Sequence, residues 1–181
     1  TCLPVYLSTC LPVYLSTCLP VYLSTCLPVY LSTCLPCPVL RKDNAMKFSK
    51  DERQSLIDLA NEARKRAYVP YSNYRVGAAL RTKSGRIFTG VNVESAAYPT
   101  TMCAERVAVY KAVSEGEKEF DVIAVVTDNG GSPCGSCRQA LAEFGLATRV
   151  LIADGRGNLL KEMTVAELLP EAFTPEHLVN R

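Results

Sequence analysis

The sequence TMCAERVAVYKAVSEG at residues 101–116 is followed by DVIAVV at residues 121–126 and by SPCGSCRQALAEFG at residues 132–145. The first and third segments have apolar residues at helical spacing, whereas the second is a continuous apolar run, as in a strand buried on both faces. A helix, a buried strand and a second helix in this order predict a sheet that is covered by helices. This part of the chain therefore decides the fold class.

Further strands and helices on either side extend the pattern to the order α-β-β-α-β-α-β-β-α. Apolar runs and alternation predict strands over residues 74–81, 86–92, 122–126, 150–153 and 158–161. Helical spacing and capping signals predict helices over residues 49–67, 101–114 and 134–144, and a short one beginning after Thr164. In the first strand, Arg75 and Arg81 predict that one face is more polar. We expect a three-layer α/β/α sandwich around a mixed five-stranded sheet.

The beginning of the chain has a different character. The octapeptide Thr-Cys-Leu-Pro-Val-Tyr-Leu-Ser runs four times from residue 1 without a change and breaks off in a fifth copy. A proline in every copy interrupts a continuous helix, which argues against a membrane span. Because the first methionine is Met46, we expect residues 1–45 to be an appended or misread extension and residues 46–181 to be the folded domain. A thiol-rich binding tail is the alternative.

The cysteines divide into two groups. Six of the nine lie within the first 37 residues, and only Cys103, Cys134 and Cys137 lie in the rest of the chain. An odd number of thiols, two of them with C-x-x-C spacing, favours a metal site in a reducing compartment over disulfide bridges. We therefore expect a cytoplasmic protein.

The charge of the chain is nearly balanced. Residues 46–181 contain 18 basic and 17 acidic residues, which gives a net charge of +1. A protein that grips nucleic acid needs an extended positive surface, and this composition does not supply one. We expect a small-molecule substrate, no nucleic-acid partner and no membrane attachment.

The three isolated cysteines have the pattern of a zinc site. Cys134 and Cys137 lie three residues apart, so both sulfurs face one side of a helix, and Cys103 supplies a third sulfur from the start of another helix. Three protein ligands leave one tetrahedral position open, as in catalytic zinc sites. Glu105 is placed to take a proton from water at that position. A structural zinc site with His177 as fourth ligand and a redox pair are the alternatives.

The two motifs together resemble a known signature. Cys103-Ala-Glu105 with Pro133-Cys-Gly-Ser-Cys137 is similar to the motifs of zinc-dependent nucleoside and nucleobase deaminases. Cysteine at residue 103, where the general pattern has histidine, resembles the small homotetrameric cytidine deaminases and the related blasticidin S deaminases. The similarity runs from about Phe48 to Phe173.

This resemblance implies a reaction and a set of roles. One Zn²⁺ per subunit is held by the three cysteines, and Glu105 moves protons while water replaces the amino group at C4 of cytosine. The expected reaction converts cytidine and 2'-deoxycytidine to uridine and 2'-deoxyuridine with release of ammonia, as in pyrimidine salvage. Arg106 and Gln139 are expected in the shell around the ligands, where Arg106 donates to the sulfurs.

The resemblance also implies the residues that bind substrate: Tyr74, Asn92, Glu94, Tyr98, Ala104 and Phe173. The Asn92-Val-Glu94 segment matches the one that binds ribose hydroxyls, and an amide with a carboxylate offers a diol both a donor and acceptors. Tyr74 stands where the family commonly has phenylalanine, so its ring is expected against the pyrimidine and its hydroxyl needs a partner. Tyr98 and Phe173 imply a homotetramer with shared active sites.

Three other functions remain open at this point. They are a deaminase for blasticidin S or modified pyrimidines, a deaminase of polynucleotides, and a non-catalytic zinc module. The near-neutral charge argues against the second, which needs a basic strand-binding groove.

Overall fold

The computed structural model of the protein describes residues 48–178, so the predicted extension over residues 1–45 lies outside the described part of the chain. One five-stranded sheet has the strand order β2-β1-β3-β4-β5. Its strands are β1 (Gly77–Thr82), β2 (Ile87–Val91), β3 (Phe120–Val126), β4 (Arg149–Ala153) and β5 (Leu159–Thr164). Strands β3 and β4 are parallel and the other neighbours are antiparallel, so the sheet is mixed, as predicted.

The first and the last α-helix of the described residues begin at the predicted capping boxes, whereas the helix predicted from residue 101 begins at Ala104. The α-helices are α1 (Lys50–Arg64), α2 (Ala104–Ser114), α3 (Gly135–Ala142) and α4 (Val165–Leu168). At the start of α1 the Ser49 hydroxyl accepts from the Glu52 backbone amide, and the Glu52 carboxylate accepts from the Ser49 amide. Thr164 and Glu167 make the same reciprocal pair at α4. Within residues 48–178 there is no helix of the length and apolar character needed to cross a membrane.

The two faces of the sheet are covered by different helices. Helix α1 packs on one face, and its apolar residues meet Ala79, Val122, Ala124, Val126 and Leu151. Helices α2, α3 and α4 cover the other face, where the buried sheet residues are Ala78, Leu80, Ile123, Val125, Val150 and Ile152. The three-layer α/β/α sandwich predicted from the sequence is confirmed.

The prediction of a polar face on the first strand was wrong. Strand β1 begins only at Gly77 and is a central strand between β2 and β3, with α1 on one side and α2 on the other. Ala79 is therefore completely buried although its face was expected to be polar. Arg75 precedes the strand and donates to the Lys65 carbonyl, whereas Arg81, at the far end of the strand, pairs with Glu52. Local alternation does not reveal that a strand is covered on both faces.

A glycine sets the distance between α2 and the sheet. A Cβ atom at Gly90 would lie 2.2 Å from the Ala104 carbonyl oxygen and 2.6 Å from the Ala108 amide nitrogen. The backbone of the first turn of α2 thus rests on the backbone of β2. Because Cys103 is the N-cap of this helix, the contact fixes the place of the first predicted metal ligand.

We expect Gly90→Ala to lower the free energy of unfolding by about 3 kcal/mol, because overpacking typically costs about 1–3 kcal/mol and the obstructing atoms here belong to the backbone. Denaturant unfolding measures the change. Gly135→Ala is the matched control, since a Cβ there meets no atom within 4 Å. A Gly90→Ala protein as stable as the parent would contradict the close approach of α2 to β2.

Candidate active site

The three predicted metal ligands come together at the N-termini of two helices. Cys103 is the N-cap of α2, Cys134 is the N-cap of α3, and Cys137 lies in the first turn of α3. The Cys134 sulfur lies 3.8 Å from the Cys103 sulfur and 3.5 Å from the Cys137 sulfur, and all three lie within 4.8 Å of one another. Three sulfurs on one tetrahedral Zn²⁺, each at about 2.3 Å, lie about 3.8 Å apart. The donor set therefore fits one zinc ion.

Hydrogen bonds among the thiols separate their pKa values. The bond from Cys137 to Cys103, and a further one from Arg106, lower the pKa of the Cys103 thiol to about 5 although burial opposes them. The same bond, together with burial, raises the pKa of Cys137. Cys103 is thus a thiolate at neutral pH, which is the form that a metal ion binds.

Arg106 brings a positive charge to this cluster. Its Nη2 atom donates to the Thr101 carbonyl at 3.3 Å and to the Cys103 sulfur at 3.7 Å. Both contacts lie on the N-terminal side of α2, where the helix dipole also favours negative charge. The guanidinium and the helix terminus together offset the charge of the thiolates.

Glu105 is a buried carboxyl group next to the thiols. It lies in the first turn of α2 and only 4% of its surface is exposed. Burial raises the pKa of Glu105, and the negative charge of Cys103 adds to this effect. A carboxyl group with a raised pKa can both accept and return a proton near neutral pH.

A cavity of about 290 Å³ opens beside the thiols. Its walls come from residues 72–76, 92–94, 101–105 and 125–134, and they include Cys103, Cys134 and Glu105. Three predicted substrate-binding residues, Tyr74, Asn92 and Glu94, also line it. The cavity therefore brings together a metal site, a buried carboxyl group and polar side chains.

The comparisons with known proteins agree with this geometry. A family model described as "Cytidine and deoxycytidylate deaminase zinc-binding region" matches residues 50–153, which include all three cysteines. The chain belongs to the cytidine and deoxycytidylate deaminase family. The resemblance inferred from the motifs and the zinc cofactor implied by it are thereby confirmed.

The alignments with individual members of the deaminase family cover most of the length of those proteins. A cytidine deaminase of Halalkalibacterium halodurans is 49% identical over 130 residues, which cover 70% of this chain and 98% of that protein. A crystal structure of cytidine deaminase from Burkholderia pseudomallei has a TM-score of 0.64 and 41% identity, and the match covers 70% of this chain and 100% of that one. A blasticidin-S deaminase of Bacillus cereus is more distant, at 36% identity over 129 residues that cover 66% of this chain and 90% of that protein.

Asn92 and Glu94 of this deaminase chain are held by the segment opposite them. The Asn92 amide oxygen accepts from the Val76 amide and its nitrogen donates to the Tyr74 carbonyl, each at 2.8 Å. Glu94 accepts from the Ser72 hydroxyl and from the backbone amides of Ser72 and Tyr71. These bonds, the Ser72 hydroxyl first, lower the pKa of Glu94, so it is ionised at neutral pH.

The other predicted residues lie away from the cavity wall. Ala104 is the first residue of α2 and is completely buried. The Gln139 side chain donates to the Phe173 carbonyl at 2.6 Å rather than to a sulfur. Tyr98 and Phe173 are 71% and 56% exposed. His177 stacks on Phe173 and bonds to Thr174, and among residues 48–178 it does not belong to the group of side chains spaced for one metal ion, which is formed by the three cysteines.

Sequence reasoning missed Arg138, which holds in place the loop between β3 and α3. We call this loop, residues 127–134, the metal loop because it ends at Cys134. The Arg138 guanidinium donates to the Pro133 carbonyl at 2.8 Å, to the Ser132 hydroxyl at 3.1 Å and to the Leu168 carbonyl at 2.8 Å. The residue thus ties the loop before Cys134 to the end of α4. Its position directly after the C-x-x-C motif was the only signal in the sequence.

We expect Arg106→Gln to weaken Zn²⁺ binding by about 10- to 100-fold, since a residue that hydrogen-bonds a metal ligand typically contributes that much. Competition with a chromophoric chelator measures the affinity. Arg53→Gln is the control, because Arg53 pairs with Glu162 at 3.1 Å and touches none of the thiols. Equal affinity in both variants would show that the Arg106 guanidinium does not stabilise the bound metal.

Proposed function

We propose that the chain catalyses the hydrolytic deamination of cytidine and 2'-deoxycytidine to uridine and 2'-deoxyuridine with release of ammonia. The observation that carries the proposal is the placement of the buried Glu105 carboxyl group in the same cavity as three sulfurs spaced for one zinc ion. Membership of the deaminase family supports the same reaction.

In the proposed reaction, three cysteines bind the metal and Glu105 transfers the protons. Cys103, Cys134 and Cys137 hold the zinc ion, which when bound supplies a Lewis acid that activates water. Glu105 takes a proton from the attacking water, delivers it to N3 of the base, and then passes the second proton of that water to the leaving amino group. Its raised pKa suits both the acceptance and the return of a proton.

The polar wall of the cavity suits the sugar. Glu94 is ionised and lines the cavity, and a carboxylate accepts hydrogen bonds from sugar hydroxyls. The same negative charge repels a phosphate group, so we propose a nucleoside rather than a nucleotide as the substrate. Tyr74 lines the same cavity, which supports the proposal that its ring contacts the base.

The proposal extends to the assembly and to its setting. Tyr98 and Phe173 are exposed aromatic side chains outside the cavity, which supports a homotetramer in which they complete neighbouring sites. Three thiols that serve as metal ligands support a reducing, cytoplasmic setting. We also propose that residues 46–181 form the catalytic domain and that residues 1–45 are an extension; mass spectrometry of the protein from its native source tests this boundary.

We expect Glu105→Gln to retain one zinc ion per chain and to lose at least about 10³-fold in kcat, because the amide cannot move protons. The fall in ultraviolet absorbance as cytidine becomes uridine measures turnover, and atomic absorption measures zinc. Glu119→Gln, an exposed carboxyl at the opposite end of β3, is the control and should keep full activity.

Three outcomes would count against the proposal. Loss of zinc in Glu105→Gln would make Glu105 a ligand rather than a proton carrier. Full turnover after verified zinc removal would exclude the metal from the reaction. A zinc-loaded chain that leaves the absorbance of cytidine unchanged would be a non-catalytic zinc module or a deaminase of another substrate.

A further inference from the structure

A hydrogen bond joins a residue of the cavity wall to a loop residue behind it. The Tyr74 hydroxyl donates to the Asn129 side-chain oxygen at 2.7 Å. Tyr74 belongs to the segment that leads into β1, whereas Asn129 lies in the loop that connects β3 to α3 and carries Cys134. The bond therefore connects Tyr74, which lines the cavity, to the metal loop.

Asn129 is itself fixed by its own loop. The buried Thr127 hydroxyl donates to the same Asn129 oxygen at 3.3 Å, and the Gly131 amide donates to the Thr127 hydroxyl at 2.5 Å. Two donors thus meet at one acceptor, one from inside the loop and one from the opposite wall. The loop presents a fixed acceptor to the tyrosine.

Gly131 makes room for the tyrosine hydroxyl. A Cβ atom at this position would lie 2.5 Å from the Tyr74 oxygen, closer than atoms approach without a shift. The loop backbone and the phenol tip are therefore complementary in shape as well as in hydrogen bonding. Both Gly131 and Tyr74 line the cavity, so their contact sets its width at this point.

We propose that Asn129 positions the Tyr74 ring through this hydrogen bond, and that Tyr74, Asn129 and Gly131 together form a clamp that fixes the width of the substrate cavity. The inference rests on the proposed function, because it takes the base of a cytosine nucleoside as what the cavity receives. Asn129 does not line the cavity and acts only through Tyr74.

The clamp acts on substrate binding rather than on the chemical step. The Tyr74 ring is 39% exposed, so packing alone does not hold it in one orientation. A ring that is already oriented loses less freedom when a ligand binds, and the gain is seen in affinity. None of the three clamp residues is hydrogen-bonded to Glu105 or Cys103, so kcat is expected to depend little on them.

A double-mutant cycle on the zinc-loaded full chain tests the clamp. We expect Tyr74→Phe and Asn129→Ala each to raise KM for cytidine roughly threefold to tenfold, the effect of one lost hydrogen bond, with kcat nearly unchanged. The double variant should be no worse than either single one, since both remove the same interaction. Asn129→Asp keeps an acceptor oxygen and should retain the parental KM.

A second pair of variants tests the fit of shape. Gly131→Ala should raise KM because its Cβ displaces the Tyr74 hydroxyl, whereas in the Tyr74→Phe background the same substitution should raise KM little further, because the obstructing oxygen is gone. Tyr110→Phe, an exposed tyrosine on α2, is the matched control and should leave KM unchanged. Additive effects in either cycle would overturn the clamp.

Hydrogen exchange separates this inference from the proposed function. In Tyr74→Phe the Gly131 amide should exchange faster than in the parent, because its acceptor Thr127 loses the support of the clamp. If the parent chain does not convert cytidine, the proposed function fails and the exchange rate alone decides on the clamp. Unchanged exchange together with unchanged KM would refute it.

Discussion

The active site depends on how closely α2 can approach the sheet. At Gly90 the helix backbone and the strand backbone are in direct contact, and at Gly77 a Cβ would lie 2.0 Å from the Ala60 carbonyl of α1. Two glycines on neighbouring strands thus let a helix settle on each face of the sheet. The close approach of α2 determines where Cys103 and Glu105 stand relative to the metal loop.

The chemistry of the site rests on a balance of charge. Three sulfur ligands place negative charge in a partly buried position, and the nearby Glu105 carboxyl adds to it when ionised. Two helix N-termini and the Arg106 guanidinium face the same point and compensate for this charge. Burial, together with the charge of Cys103, raises the pKa of Glu105, the proposed proton carrier.

Features with a local physical cause could be predicted from the sequence, and features with distant partners could not. The capping boxes at Ser49 and Thr164 and the C-x-x-C pair need only neighbours along the chain, and all of them are seen in the structure. The burial of Ala79 depends on which strands flank β1, which no local pattern encodes. The Tyr74 hydroxyl required a partner, but Asn129, 55 residues away, could be found only in the fold.

The Asn92 side-chain amide bonds to the segment of residues 74–76 and also lines the cavity. Of its two N–H groups, one is used by the Tyr74 carbonyl, and of the two lone pairs on its oxygen, one is used by the Val76 amide. One donor and one acceptor of Asn92, which lines the cavity, are not used by these two bonds. Aspartate has the same size but lacks the donor that Tyr74 requires, and leucine lacks both groups. A substitution at this position therefore changes the support of the segment of residues 74–76 and the polar groups that face the cavity at the same time.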